Sequence, residues 1–281
     1  MLSYRHGFHA GNFADVFKHA VLTLIITGLR RKDTPFCYLD MHAGAGCYDL
    51  RDGLSLKNRE FLTGVMRVWS APEVPASLQD YLTALRVANG KGGELRWYPG
   101  SPQIVRQLLR PRDRMILCEL HPTEISRLQA LFRGDRQAAV HYGDGYQALK
   151  AFLPPSERRG LVLCDPPYEL KDERTRLVNA LIAAWKRWPT GIFAIWHPIQ
   201  ERSATDRLYR KFKNSGIGKI LQAELCIRPD GSTKQLKGSG MILLNPPYQL
   251  DLRLRSLLPW LWAALSTEGQ GSWRVEWLVS D

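Results

Sequence analysis

The sequence predicts an α/β fold, a doubly wound and mostly parallel sheet, on three observations. Short apolar runs alternate with longer runs of helical periodicity along most of the chain. Strand-like runs end in an acid, or lead to one within two residues, at Asp40, Glu119, Asp144 and Asp165. The first of these tips opens a small-residue loop, Met41-His42-Ala43-Gly44-Ala45-Gly46. Open parallel sheets bind ligands outside the carboxyl ends of their strands. One such acid could be a turn residue or a helix cap. Four at successive strand tips line one crevice edge.

Each element follows from its own residues. Asn12 precedes Phe13 and Asp15 as an N-cap with an acid in the first turn. Phe13, Val16, Phe17, Ala20, Val21, Leu24 and Ile25 recur at helical spacing, so a helix spans about 13 to 30. Lys18 and His19 fall off the centre of its apolar stripe. Phe36 to Asp40 is a strand, and the glycines after it let backbone approach a ligand closely. A lone Gly-Ala-Gly is a weak signal; the strand before it gives it weight. The next strand, Arg114 to Glu119, comes late, since a plain βαβ unit needs only about 30 residues. The surplus reads as a small helical subdomain over residues 50–95, with helices at Glu60 to Trp69 and Ser77 to Asn89. It is inserted into a main domain of residues 1–49 and 96–281. Tyr98-Pro99-Gly100-Ser101-Pro102 closes it, and Pro102 starts a helix.

From there the rhythm is regular. Pro122 to Arg133, Gln147 to Phe152, Glu173 to Trp188 and Ala204 to Asn214 are helices. Ala138 to Tyr142, Leu161 to Cys164 and Ile192 to His197 are the strands between them. Lys219 to Arg228 and Gly240 to Asn245, joined by a polar, Gly-containing loop, form a hairpin. A helix (Leu252 to Leu265) and a strand (Trp273 to Val279) finish the chain.

The strongest chemical signal is Asp165-Pro166-Pro167-Tyr168, directly after the buried-strand run Leu161 to Cys164. Two prolines fix two φ angles and remove two N–H groups, so the turn is stiff and its carbonyls stay free. The Asp165 carboxylate and the Pro166 carbonyl are two acceptors beside the flat face of Tyr168. That set suits an exocyclic –NH2 group on a planar base or amide. Asp and Pro also make ordinary turns, and the pattern recurs at Asn245-Pro246-Pro247-Tyr248. Asn245 ends the second strand of the hairpin. If that strand runs antiparallel to its neighbour, Asn245 exits at the opposite edge of the sheet and is structural.

Composition sets outer limits. The chain of 281 residues is 44% hydrophobic and 23% charged, as in soluble globular proteins. Its longest apolar run, Ala20 to Leu29, is too short to span a bilayer. The start, Met-Leu-Ser-Tyr-Arg-His, has no signal-peptide core, so cytoplasmic residence is expected. Five cysteines form no CxxC pair; Cys37, Cys118, Cys164 and Cys226 lie in apolar strand runs and read as reduced core residues. The seven histidines lack partners at ligand spacing, which argues against a metal. A net charge of +12, spread over several segments, favours a broad basic face and a polyanionic partner. Ahead of the first helix, Tyr4, Arg5, His6 and His9 combine a ring, a cation and two imidazoles. That mix suits phosphate and an unpaired base. The segment is expected to be flexible without a nucleic acid and to close over the target nucleotide.

These motifs resemble a known family. Leu2-Ser3-Tyr4-Arg5-His6-Gly7-Phe8-His9-Ala10-Gly11-Asn12, Ala14-Asp15-Val16, Lys18-His19, Leu39 to Gly46, Tyr98 to Pro102 and Asp165 to Tyr168 look like the bacterial 23S ribosomal RNA adenine-N6 methyltransferases called RlmJ. The likeness runs nearly end to end, including the helical insertion and Leu258-Pro259-Trp260-Leu261. It implies a Rossmann-like S-adenosylmethionine-dependent methyltransferase fold with a mostly parallel, seven-stranded sheet. It implies that Lys18, His19, His42, Ser101, Glu119, Asp144, Gly145 and Asp165 surround the donor. Asp165 is implied as the catalytic residue, and Tyr4 as a contact of the target RNA. His6, Pro166 and Tyr168 join Tyr4 on the substrate side. Read from the residues alone, His19 and His42 remain open between donor contacts and buried core histidines. One departure stands at Cys47-Tyr48, where the family carries a basic residue before the tyrosine; it bears on the rim of the donor site.

The expected partner is 23S ribosomal RNA, protein-free or in an early assembly particle, acted on by a monomer. The target adenine would leave its stack to reach the pocket. Two other classes fit the same turn: a DNA-adenine or protein-glutamine methyltransferase, and a non-catalytic RNA-binding module. The insertion is small for the target-recognition domain of a DNA enzyme. An intact Asp165 and donor loop weigh against a module without activity.

Overall fold

Pleating sorts the strand residues between two cores. A computed structural model describes residues 5–90, 93–170, 172–229, 236–266 and 269–280. Strand β1 (Cys37–Asp40) turns Tyr38 to one face and Cys37 and Leu39 to the other. Between α1 (Phe13–Arg30) and β1 the chain makes a short turn; after β1 comes the glycine loop, then β2 (Cys47–Asp49). Helices α2 (Gly53–Asn58), α3 (Val65–Trp69) and α4 (Gln79–Asn89) follow, and β3 (Trp97–Pro99) returns to pair antiparallel with β2. Val65, Val68, Tyr81, Leu82 and Leu85 of these helices belong to the same core cluster as α1.

The βα series comes next: α5 (Ser101–Leu108), β4 (Arg114–Glu119), α6 (Pro122–Leu131), β5 (Ala138–Tyr142), α7 (Gly145–Phe152), β6 (Gly160–Cys164), α8 (Glu173–Arg187), β7 (Ile192–Ile199) and α9 (Arg202–Lys213). The hairpin β8 (Ile220–Cys226) and β9 (Gly238–Leu244), helix α10 (Leu250–Leu265) and β10 (Ser272–Val279) complete the order. Helices α1, α5 and α10 cover one face of the sheet; α7, α8 and α9 cover the other. Both faces are therefore dry, and β6 is buried at every position.

The sheet has eight strands in the order β10-β8-β9-β7-β6-β1-β4-β5. The resemblance implied seven; the difference is β10, which pairs antiparallel with β8 from Ser272 to Val279 and becomes the edge. Strands β5, β4, β1, β6 and β7 are mutually parallel. Chain order runs outward from β1 through β4 to β5, then crosses to β6 on the other side of β1. The switch point thus lies between β1 and β6, the place where such sheets bind ligands.

Strand β9 runs antiparallel to both β7 and β8. Leu244 pairs with Phe193 near the start of β7, so Asn245 leaves at the amino edge of the parallel strands. Its Nδ2 donates to the carbonyls of Pro189 and Gly191, and its φ is +50°. Asp165 follows the carboxyl end of β6. The two similar turns sit at opposite edges.

Helix α1 is buried around nearly its whole circumference, packed between α5, α10, β9 and α4. Lys18 and His19 are accordingly buried, at 5% and 1% exposure. Cys37, Cys118 and Cys164 are core residues, while Cys226 is only half-buried. Among the described residues, no helix is long and apolar enough to cross a membrane.

Candidate active site

The carboxyl ends of β1, β4, β5 and β6, with the start of α1 and the end of β7, enclose a cleft of about 570 Å³. Lys18, His19, His42, Ser101, Glu119, Asp144, Gly145 and Asp165 all line it, as do His6, Pro166 and Tyr168. Tyr4 lies outside the described residues.

The glycine loop shapes one wall. Gly44 (φ +60°) and Gly46 (φ +78°) take left-handed backbone, and a Cβ on Gly44 would meet the Tyr48 hydroxyl at 2.2 Å. Glu119, at the tip of β4, braces this loop. Its Oε2 accepts from Gly44 N at 2.7 Å; its Oε1 accepts from Leu120 N at 2.8 Å and His121 N at 2.6 Å. Burial still raises its carboxyl above the usual range. Asp144 caps α7 by accepting from Tyr146 N at 2.9 Å, and its Oδ2 takes Arg176 at 2.6 Å. The Arg176 guanidinium also lies 4.0 Å from the Tyr146 ring centroid.

Behind the cleft residues Ser101 and His42 lies Asp40, fully buried. Its Oδ2 accepts from the hydroxyls of Tyr38 (2.6 Å) and Ser101 (2.7 Å), and its Oδ1 from His42 N (3.2 Å). Burial pushes the carboxyl up to about 6 despite those bonds. Ser101 is therefore a donor to Asp40 in this arrangement. The His42 Nδ1 is buried without a hydrogen-bond partner, and burial lowers its ring pKa to about 4. A buried nitrogen without a partner is rare enough to mark this ring, which also lines the cleft. His19 is different: its Nδ1 meets the Tyr98 hydroxyl at 2.8 Å, and burial lowers it to about 3. One of its ring nitrogens is thus held by protein, and the neutral ring lines the cleft wall.

Lys18 does not face the donor side as a free cation. Its Nζ lies 2.5 Å from Asp165 Oδ2 and 2.9 Å from Asp15 Oδ1. The other oxygen of Asp15 meets His6 Nε2 at 2.8 Å and accepts from Gly11 N at 3.0 Å. Burial opposes both charges, yet the carboxylates hold Lys18 above its ordinary value, and His6 and Lys18 hold Asp15 well below its own. Asp165 keeps Oδ1 free of hydrogen bonds from the described residues. Beside it, Pro166 is buried, and Tyr168 takes a left-handed φ of +54°. The Tyr168 hydroxyl donates to Trp196 O at 2.6 Å, and the two rings lie 5.9 Å apart. Arg174 stands over the Tyr168 ring at 5.6 Å with its Nε buried and unpartnered.

Sequence reasoning missed the Asp15–Lys18–Asp165 chain, the Trp196 wall and the Arg174 and Arg176 rim. Asp15 carried only a first-turn-acid signal. Its three-residue spacing to Lys18 on a helix was the one available hint.

A parallel sheet switching between β1 and β6, acids at its strand tips and a stiff acceptor turn define a Rossmann-like methyltransferase. Comparison with known proteins makes this specific. The family model described as ribosomal RNA large subunit methyltransferase D, RlmJ, matches residues 33–279. The chain is 46% identical to ribosomal RNA large subunit methyltransferase J of Escherichia coli (strain K12) and 45% identical to the Haemophilus influenzae protein of the same name, with both chains covered in full. A crystal structure of the Legionella pneumophila protein LPL1258 superposes with a TM-score of 0.88 at 34% identity, covering 96% of this chain and 98% of that one. The chain belongs to the RlmJ family. It is a methyltransferase, with S-adenosylmethionine as its methyl donor.

The cleft fits that donor. Glu119 and Asp144 place two carboxylates at the tip of β4 and just after β5, and His42 and Ser101 line the same cleft beside them.

Proposed function

We propose that the protein methylates N6 of an adenosine in 23S ribosomal RNA. The observation that carries this reading is that Asp165-Pro166-Pro167-Tyr168 opens onto the same cleft as Glu119 and Asp144. A group held by the turn therefore meets whatever the acids hold.

When bound, the donor supplies an electrophilic methyl group on sulfur. The residues of the chain do the rest. Tyr168 stacks on the extruded adenine, with Trp196 behind it; such stacking is worth about 1–3 kcal/mol per base. The two N6 hydrogens go to the open Oδ1 of Asp165 and to the Pro166 carbonyl. This turns the nitrogen lone pair out of conjugation and toward the methyl. The transfer is in line, so alignment and charge placement supply most of the rate. Asp165 faces the positive charge that grows on N6 and takes the proton once the methyl has moved. Arg174, a cation with an unpaired buried Nε beside Tyr168, takes a phosphate flanking the target. Tyr4 and His6 cover the base. The protein acts as a cytoplasmic monomer on protein-free RNA or an early assembly particle.

The test is methyl transfer from tritiated donor to 23S rRNA, duplex DNA and bulk protein in parallel. Label in rRNA, recovered as N6-methyladenosine, is the expected result. Label in DNA or protein alone would replace the substrate; donor binding without transfer to any of the three would make the chain a binding module.

A further inference from the structure

Two acids share one lysine beside the target pocket. Asp15 and Asp165 come from α1 and the tip of β6, 150 positions apart in the chain, and meet only through Lys18 Nζ. Asp15 is 2% exposed, and each of its oxygens is engaged: Oδ1 by Lys18, Oδ2 by His6 Nε2 and Gly11 N. Its own amide is fixed by Asn12 Oδ1 at 2.9 Å. A buried carboxylate is costly to desolvate, and three groups hold this one in place.

We propose that Asp15 is a positioning residue for methyl transfer, acting through Lys18 on the Asp165 carboxylate. The inference rests on reading Asp165 as the group that meets N6. Lys18 paired with Asp165 alone would be a neutral couple, with little attraction for a cation developing on N6. Lys18 shared between two carboxylates gives less of its charge to Asp165, and the open oxygen of Asp165 presents the remaining negative charge to the cleft. Asp15 also fixes the direction from which Lys18 approaches, so Asp165 offers Oδ1 and not Oδ2 to the substrate. Through His6 the same carboxylate reaches the N-terminal segment.

The experiment compares Asp15→Asn, Lys18→Met, the double variant and Asp165→Ala in rRNA methylation, with donor affinity measured by calorimetry. The asparagine keeps the shape and removes the charge. Asp15→Asn is expected to lower kcat by at least about tenfold, the rate equivalent of one pK unit of charge stabilisation. The KM for rRNA and the donor Kd should move by less than about threefold, well under the tenfold that 1.4 kcal/mol represents. Because Asp15 acts through Lys18, the double variant should be no slower than Lys18→Met; merely structural damage would add. Should Asp15→Asn fail to fold, Asp15→Glu, which keeps the charge, is measured instead. It should retain most of the turnover that Lys18→Met loses. Wild-type kcat in Asp15→Asn, additive losses in the double variant, or a glutamate variant as slow as Lys18→Met would overturn the proposal. If Asp165→Ala itself turns over normally, the reading of Asp165 falls first. If Asp165→Ala is inactive and Asp15→Asn is normal, the positioning role alone falls.

Discussion

Replacing Glu119 tests the donor side of the cleft in a way the structure makes quantitative. The carboxylate braces the glycine loop through Gly44 N and its own turn through Leu120 N and His121 N, at 2.6 to 2.8 Å. In Glu119→Gln the carbonyl oxygen stays with the two amides of the turn, and the –NH2 group then opposes the Gly44 N–H. The loop loses its brace, and an acceptor at the cleft proposed to meet the donor ribose becomes a hydrogen-bond donor. A charge-assisted hydrogen bond is worth roughly 1.5–3 kcal/mol, so donor Kd should rise about 10- to 100-fold. Glu119→Ala removes the brace and both ribose acceptors and should weaken binding at least as much. Calorimetry with S-adenosylmethionine reads the effect directly. RNA binding without donor should change little, because Glu119 lies on β4 and not on the turn proposed to hold the base. Unchanged donor affinity in both variants would refute the assignment of Glu119 to the donor site.

Asp165→Ala should abolish methyl transfer with donor Kd within a few-fold of wild type, and wild-type turnover would remove Asp165 from catalysis. Asn245→Ala should leave turnover nearly unchanged, because Asn245 binds carbonyls of the β7 entry at the far edge of the sheet; a loss as deep as that of Asp165→Ala would mean the wrong turn was chosen. Tyr4→Ala should lower methylation strongly at saturating donor, whereas weaker donor binding with normal turnover would put that residue in the cofactor pocket. Arg174→Ala should raise the KM for rRNA and flatten its salt dependence, and an unchanged KM would remove the phosphate contact. Acid should unfold the protein early. Burial holds His42 and His197 down near 4, below the ordinary 6.5. Between those values the unfolded chain binds protons that the folded chain refuses, so stability is full above pH 6.5 and falls as pH drops toward 4. A melting temperature independent of pH across that window would contradict the buried neutral state.

Much of this architecture could be read from the residues, and what could not has a physical cause. Helix α1 and strand β4 end where their apolar periodicity ends, and Asn12 caps the helix as its chemistry dictates. Separating Asp165 from Asn245 needed only the direction of a hairpin strand. Helix α2 was missed because six residues carry too little periodicity, and the β2–β3 pair because three-residue strands carry almost none. The Asp15–Lys18–Asp165 chain was hidden for another reason. Its meaning depends on two elements meeting in space, and nothing local to α1 says that Asp165 will arrive beside it. His19 is open in sequence between a donor contact and a core residue, and its hold by Tyr98, 79 residues away, cannot be read from local sequence. His42 could not be told from it in sequence; only the absence of a partner for its Nδ1 separates the two.

The central claim is that the turn at the tip of β6 presents an adenine amino group to the donor. Its most direct test is nucleoside mass spectrometry of unmodified 23S rRNA after incubation with S-adenosylmethionine and either the wild-type protein or Asp165→Ala. N6-methyladenosine formed by the wild type and absent with the variant, while both bind donor alike, is the predicted result. A different methylated nucleoside, or N6-methyladenosine at equal yield from both, would contradict it.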